Sequence, residues 1–294
     1  MAFAVWGILP LYWKMLARID ALHILAFRIL FSLVLVTVIL TIKKNTAWLT
    51  IFKDAKKACL CILTSLILCA NWGLYIWAVN AGHTIDASLG YYINPLVSIV
   101  LGLIFFRERL SFLQWVAFGS AALGVLILTV FSGSLPWISL TLAVSFGTYG
   151  LLKKKVSLSA LESLGAETLA ATPLGFFLLF FSMEATAGGL PRLISGWQNL
   201  SYLSELPVHT WILLAFCGLV SAFPLYCFAW AAKLLPLSTL GFAQILSPTL
   251  QFLLGVFVFG EYFPVRYYIA FAFIWLAVIL YIISLKKRRP AAVQ

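Results

Sequence analysis

Carboxylates are scarce in this chain. Aspartate and glutamate together number 9, against 20 lysines and arginines and 3 histidines, in 294 residues. That leaves little from which to assemble acid–base pairs or a metal cluster. The sequence contains no HExxH, no G-x-S-x-G and no Walker loop, the local patterns that place a metal, a nucleophile or a nucleotide phosphate. An integral-membrane enzyme would have no catalytic cluster to work with, and no cofactor or metal is implied. The five cysteines, at 59, 61, 69, 217 and 227, lie in or beside apolar runs. Their spacings match no zinc pattern, so they read as small buried hydrophobes. No cleavable leader is expected, since the first apolar run begins almost at Met1 with no basic segment visible before it.

Apolar residues fill the space left by charge. They make up 63% of the chain and charged residues 10%, where a soluble globule has about 45–50% and 25%. With a mean hydropathy of +1.05, this is a multi-pass membrane protein. A net charge of +11 would suit nucleic acid, but the basic residues are dispersed between apolar runs rather than gathered on one domain. Topology accounts for them better.

Ten spans are expected, roughly at 2–17, 22–42, 58–80, 84–106, 111–131, 134–152, 159–182, 209–232, 236–259 and 264–285. Each approaches the ~20 residues that cross a ~30 Å hydrocarbon core. If both ends lie on one side, that side holds fifteen bases, including Lys43, Lys44, Lys153 to Lys155 and the tail 286–294, against four opposite. The positive-inside bias puts both termini in the cytoplasm, and a bacterial inner membrane is the expected site. Residues 183–208, with one lone base, are expected to form an extracytoplasmic loop or short helix at the headgroups, anchored by Trp197 and Tyr202.

Two stretches repeat each other. Residues 84–108 and 236–261 align at an offset of 153, which sets Pro95 on Pro248, Gly102 on Gly255 and Glu108 on Glu261. An offset of 151 aligns Leu74, Tyr75 and Ala78 with Leu225, Tyr226 and Ala229, and an offset of 140 sets Trp6-Gly7 on Phe146-Gly147. The expected fold is therefore all-α and integral to the membrane, with ten transmembrane helices in two inverted five-helix repeats at 1–131 and 134–285. Five is odd, so the second copy enters the membrane upside down. The first span is short, and the 140 offset predicts several residues before Met1.

Polar residues at membrane depth are costly and mark candidate sites. Pro95 and Pro248 each free a carbonyl four residues earlier, at Tyr91 and Gln244, and are candidate hinges. Asn94 and Ser98 share a face of one proline helix, with Tyr92 beside them, and Ser247 and Gln251 share a face of the other. Arg28 and Glu167 lie at similar depth in corresponding spans, open either to substrate or proton coordination or to structural pairing. Asn71 and Tyr75 line up on one face, with Tyr226 as the latter's counterpart, and Tyr149 is a further wall candidate. Trp72 and Trp77 face either a cavity or lipid. His23 is expected near the outer interface, snorkelling to water. Glu108 is expected to pair with Arg107 or Arg109, and Glu261 with Arg266.

The segments NWGLYIWAVN, ASLGYYINPLVSIVLG followed by RER, LSTLGFAQILSPTL and FAFIWLAVILY resemble the RarD-type permeases. These form part of the EamA branch of the drug/metabolite transporter superfamily. The resemblance covers nearly the whole chain. It implies two inverted five-helix repeats, a central cavity, and movement of a small metabolite or drug across the inner membrane. The family's second-span arginine is present as Arg28. The histidine before it and the tryptophan three after are Phe27 and Phe31 here, so the resemblance carries no proton relay to this position. On this reading the chain is a monomeric secondary transporter. Its partners are a small-molecule substrate, the lipid bilayer and a coupling proton or ion, or else the substrate's own gradient drives it. The alternative is a membrane-embedded interaction or lipid-scrambling protein with no dedicated solute. The two differ in whether the polar seam is an enclosed cavity or a groove open to lipid.

Overall fold

The computed structural model describes residues 1–80, 83–132, 137–184, 192–195, 202–260 and 265–287. In chain order the helices are α1 (Ala2–Met15), α2 (Ala21–Ile42), the short α3 (Ala47–Thr50), α4 (Ala55–Asn80), α5 (Thr84–Phe105), α6 (Phe112–Ser132), α7 (Trp137–Lys155) and α8 (Ala160–Leu179). After a β-hairpin come α9 (Val208–Leu234), α10 (Leu237–Gln244), α11 (Leu246–Phe257) and α12 (Val265–Lys287). Among the described residues, six helical segments are long and apolar enough to cross a membrane, in α2, α4, α6, α9, the α10–α11 pair and α12.

Local chemistry sets several boundaries. Asp20 caps α2 by accepting from the Leu22 amide at 2.8 Å. Ser159 and Glu162 form a reciprocal capping box on α8, satisfying two amides that a helix start leaves open. The two proline helices differ. α5 runs unbroken through Pro95, whereas the helix carrying Pro248 is divided at Ile245, between α10 and α11. The division falls beside the Gln244 carbonyl that Pro248 leaves without its helical donor.

Small residues let helices meet backbone to backbone, which suits packing where lipid gives no hydrophobic drive. A Cβ on Gly124 of α6 would lie 2.7 Å from the Ala270 carbonyl oxygen of α12. One on Gly241 of α10 would lie 2.7 Å from the Pro95 carbonyl oxygen. One on Gly218 of α9 would lie 2.5 Å from the Phe31 carbonyl carbon of α2. Outward positions are apolar instead: Val34, Val38, Ile42, Leu126, Val130 and Trp230 are all exposed, the composition of a surface solvated by acyl chains.

Three expectations are corrected. Residues 183–208 are described only in part, Trp197 lies outside the described residues, and Tyr202 does not take the headgroup position expected of it. Phe181–Glu184 pairs antiparallel with Arg192–Ser195, and a 3₁₀ turn follows at Tyr202–Glu205. Tyr202 turns into the protein, its hydroxyl 2.6 Å from His23 Nδ1. His23 is fully buried, with Nε2 3.2 Å from the Leu179 carbonyl, because bonds on both ring nitrogens replace the water it was expected to reach. Glu108 accepts from the Leu237 and Ser238 amides at 2.6 and 2.9 Å and lies 3.7 Å from Lys154. A carboxylate at the open N-terminus of α10 complements the helix dipole, so the helix start takes the role expected of Arg107 or Arg109. Burial pushes the Glu108 carboxyl up, but the Ser238 hydroxyl, the two amides and Lys154 outweigh it and hold it below the usual carboxylate range. Glu261 lies outside the described residues.

Candidate functional site

A cavity of about 340 Å³ opens between α1, α2, α4, α5, α7, α10 and α11. Its wall is rich in aromatic rings. α1 contributes Phe3, Trp6, Pro10 and Trp13, α4 contributes Trp72 and Tyr75, α5 contributes Tyr91, and α7 contributes Phe146. Tyr75 and Tyr91 meet edge to face at 5.5 Å. Trp6 and Phe146 do the same at 5.7 Å.

Arg28 is the charged residue in this wall. Its Nε donates to Ser221 Oγ of α9 at 2.9 Å, and its guanidinium carbon sits 4.1 Å from the Trp72 ring and 4.9 Å from the Trp13 ring. Two indole faces are worth about 0.5–2 kcal/mol each to a partly desolvated cation. They carry no charge of opposite sign, and among the described residues no carboxylate pairs with Arg28. A guanidinium has five N–H donors. Ser221 takes one, and no hydrogen bond from either Nη nitrogen to a described residue is present.

Polar groups on the proline helices complete the wall. Asn94 is 8% exposed and its Oδ1 is buried without a hydrogen-bond partner. Gln244, Ser247, Pro248 and Gln251 line the cavity from α10 and α11. Gln251 Nε2 donates to the Trp6 carbonyl at 3.1 Å, and Ser98, fully buried, donates to Gln244 Oε1 at 3.3 Å. Asn71 Nδ2 is committed to the Leu142 carbonyl and Ser145 Oγ, at 2.9 and 2.8 Å, which ties α4 to α7 while the side chain lines the cavity.

The structure therefore brings Arg28, Asn71, Tyr75, Asn94, Gln244, Ser247, Pro248 and Gln251 to one cavity, and Ser98 supports it from behind. Four other expected residues and the second hinge are elsewhere. Tyr92 packs on Phe271 and donates to the Pro248 carbonyl at 3.2 Å. Pro95 is buried beneath Gly241. Tyr226 is 38% exposed and away from the cavity. Tyr149 is fully buried with its hydroxyl 3.2 Å from Glu167 Oε2. Glu167 pairs with Lys153 at 2.7 Å and accepts from Thr64 at 2.8 Å. Lys153, expected among the cytoplasmic charges, is fully buried and also reaches Ser163 at 2.7 Å. Depth in the sequence could not distinguish Arg28 from Glu167, because pairing depends on a lysine from another helix.

Sequence reasoning missed the α1 wall and Tyr91. The signal was present: Phe3, Trp6, Pro10 and Trp13 recur at alternating spacings of three and four, one stripe of a helix. Trp72 resolves to the cavity, whereas Trp77 stacks on His83 at 5.8 Å. No group of three metal-ligating side chains occurs among the described residues.

Comparison with known proteins agrees with this architecture. Residues 1–130 match the EamA-like transporter family. The chain is 40% identical to an "Uncharacterized transporter" of Vibrio cholerae, over 99% of this chain and 92% of that one. It is 42% identical to "Protein RarD" of Streptomyces exfoliatus, over 95% of this chain and 85% of that one. A solved structure described as "Crystal structure of protein" superposes with a TM-score of 0.71 at 14% identity, covering 98% of this chain and 96% of that one, which speaks to the fold alone. Relatives of this kind are named as transporters, not enzymes. The chain is thus a multi-pass membrane transporter of the drug/metabolite superfamily and belongs to the EamA-like transporter family, with RarD-type proteins among its relatives.

Proposed function

We propose that this chain is a bacterial inner-membrane secondary transporter that moves a small amphipathic or aromatic organic molecule by alternating access around the cavity. The observation that carries the reading is Arg28, a membrane-depth charge facing an aromatic cavity with no carboxylate partner among the described residues. A charge kept in such a place is costly unless something that visits the cavity offsets it. Asn71, Tyr75, Asn94, Gln244, Ser247 and Gln251 would contact the substrate alongside Arg28.

In this reading ten helices form two inverted repeats, 1–131 and 134–285, working as a monomer with both termini cytoplasmic. The packing supports it: α6 lies on α12, α2 on α8, and α5 on α10, each element against its counterpart in the other repeat. Cross-pairs also come in matched sets, α2 with α9 and α8 with α4. Rocking of one repeat against the other would flex at Pro95 and Pro248, where Tyr92 and Gly241 link the two proline helices. A proton or ion gradient, or the substrate's own gradient, would supply the energy. An aromatic and amide lining favours a solute path over the alternative of lipid scrambling.

The test is exchange in reconstituted vesicles. Pro95→Ala with Pro248→Ala is expected to insert normally and exchange more slowly. Unchanged exchange would remove the hinge mechanism, and absence of exchange for any solute in the wild type would remove the transporter reading.

A further inference from the structure

Two residues that line the same cavity carry unspent hydrogen-bonding groups, and their chemistry narrows what fits. Arg28 presents Nη protons that no described residue accepts, between two indole planes. Asn94 presents a buried amide oxygen with no donor. The one calls for an acceptor, best an anion that also offsets its charge, and the other for a hydrogen-bond donor. Between them the walls offer flat aromatic faces from Trp6, Tyr75 and Phe146.

Charge counting chooses among anions. Among the described residues Arg28 is the charged one lining the cavity, so a single negative charge is matched and a second is not. In a partly desolvated site an unmatched charge is expensive. A carboxylate offers two oxygens to the fork of a guanidinium and carries one charge, whereas a phosphate monoester is closer to doubly charged at neutral pH. A neutral solute can accept from the Nη protons but leaves the charge of Arg28 unmatched, and a cationic one adds to it.

We propose that the substrate is a small organic monocarboxylate with an aromatic or planar apolar body and a hydrogen-bond donor. Arg28, itself lying over the Trp13 and Trp72 rings, holds the substrate's carboxylate, and the Asn94 amide turns its oxygen to the cavity to accept from the substrate's donor. That such a ligand is also transported rests on the proposed function, but the binding chemistry stands apart from it.

The experiment uses full-length protein in nanodiscs of zwitterionic lipid, with tryptophan quenching and thermal shift as readouts. The probes are 4-hydroxyphenylacetate, phenylacetate and 3-phenylpropanoate, each beside its amide, with phenyl phosphate and phenethylamine for comparison. Each carboxylate is expected to bind about 10-fold or more tightly than its amide, since a hydrogen bond between two charged groups is stronger than one to a neutral acceptor. Arg28→Met should abolish that preference and Arg28→Lys retain part of it. Asn94→Leu should weaken 4-hydroxyphenylacetate more than phenylacetate. Acid and amide binding equally, or phenethylamine binding best, would overturn the proposal without any variant having to fold. Phenyl phosphate binding best would overturn the single-charge match. Loss of carboxylate binding when phosphatidylglycerol is added to the discs would reassign the site to a lipid headgroup and overturn it too. Carboxylate binding without exchange in vesicles would leave this inference standing and sink the transporter reading alone.

Discussion

Two cationic side chains lie inside this helix bundle, and they are treated in opposite ways. Lys153 meets Glu167 at 2.7 Å, and Thr64, Tyr149 and Ser163 satisfy what remains. The cluster is sealed, with Lys153 fully inaccessible. Arg28 has one serine and two indoles, faces a cavity, and has no carboxylate partner among the described residues. In a low-dielectric interior, satisfied charge holds helices together, while unsatisfied charge is held in readiness for something else. The first is architecture joining α4, α7 and α8, and the second is a site.

The contrast can be broken by stability measurements. Glu167→Gln strands Lys153 without its counter-charge and is expected to cost about 3–5 kcal/mol, read as a lower melting temperature of purified protein. Adding Lys153→Met should recover most of that loss. Ser221→Ala releases the Nε tether of Arg28 and is expected to weaken ligand binding about fivefold, ~1 kcal/mol, with the melting temperature unchanged. Arg28→Met removes no ion pair and should leave stability within about 1 kcal/mol of wild type, because lost cation–π contact and relieved desolvation of the charge oppose each other. Should Arg28→Met unfold as readily as Glu167→Gln, the two centres would not differ in kind.

A smaller effect separates both centres from the charged rim. Glu108 caps α10 with a carboxyl held below its usual range. Its folded pKa lies under its unfolded value, so its stabilisation is complete above the unfolded pKa, about 4.3, and fades as pH falls through the folded value. Glu108→Gln should therefore lower the melting temperature modestly near neutrality, where the cap is fully ionised, and flatten the acid limb, so that the difference from wild type shrinks as pH falls. An unchanged acid limb would show that the cap adds no pH-dependent stability.

Much of the site was legible in the sequence, and its gaps have a common cause. Asn94, Ser247 and Gln251 could be placed inward because helical spacing puts them on one face and hydrocarbon excludes amides from the other. Tyr226 has the same repeat position as Tyr75 yet is exposed, because a repeat offset aligns residues without fixing how each helix is rotated. Tyr149 and Glu167 are polar at depth, as expected, but lie apart from the cavity. Aromatic residues such as Trp13 and Tyr91 had no single expected place, since an indole or phenol suits lipid, interface and cavity alike.

Composition and the spacing of apolar runs determined that this chain lives in a bilayer as helices, because unsatisfied backbone is intolerable there. The two proline-bearing apolar runs were also readable in one dimension. Which inner charge found a partner, where the helix before Pro248 divides, and which side chains were left with unspent hydrogen bonds were decided only by packing. Those outcomes depend on the few ångströms between residues far apart in the chain.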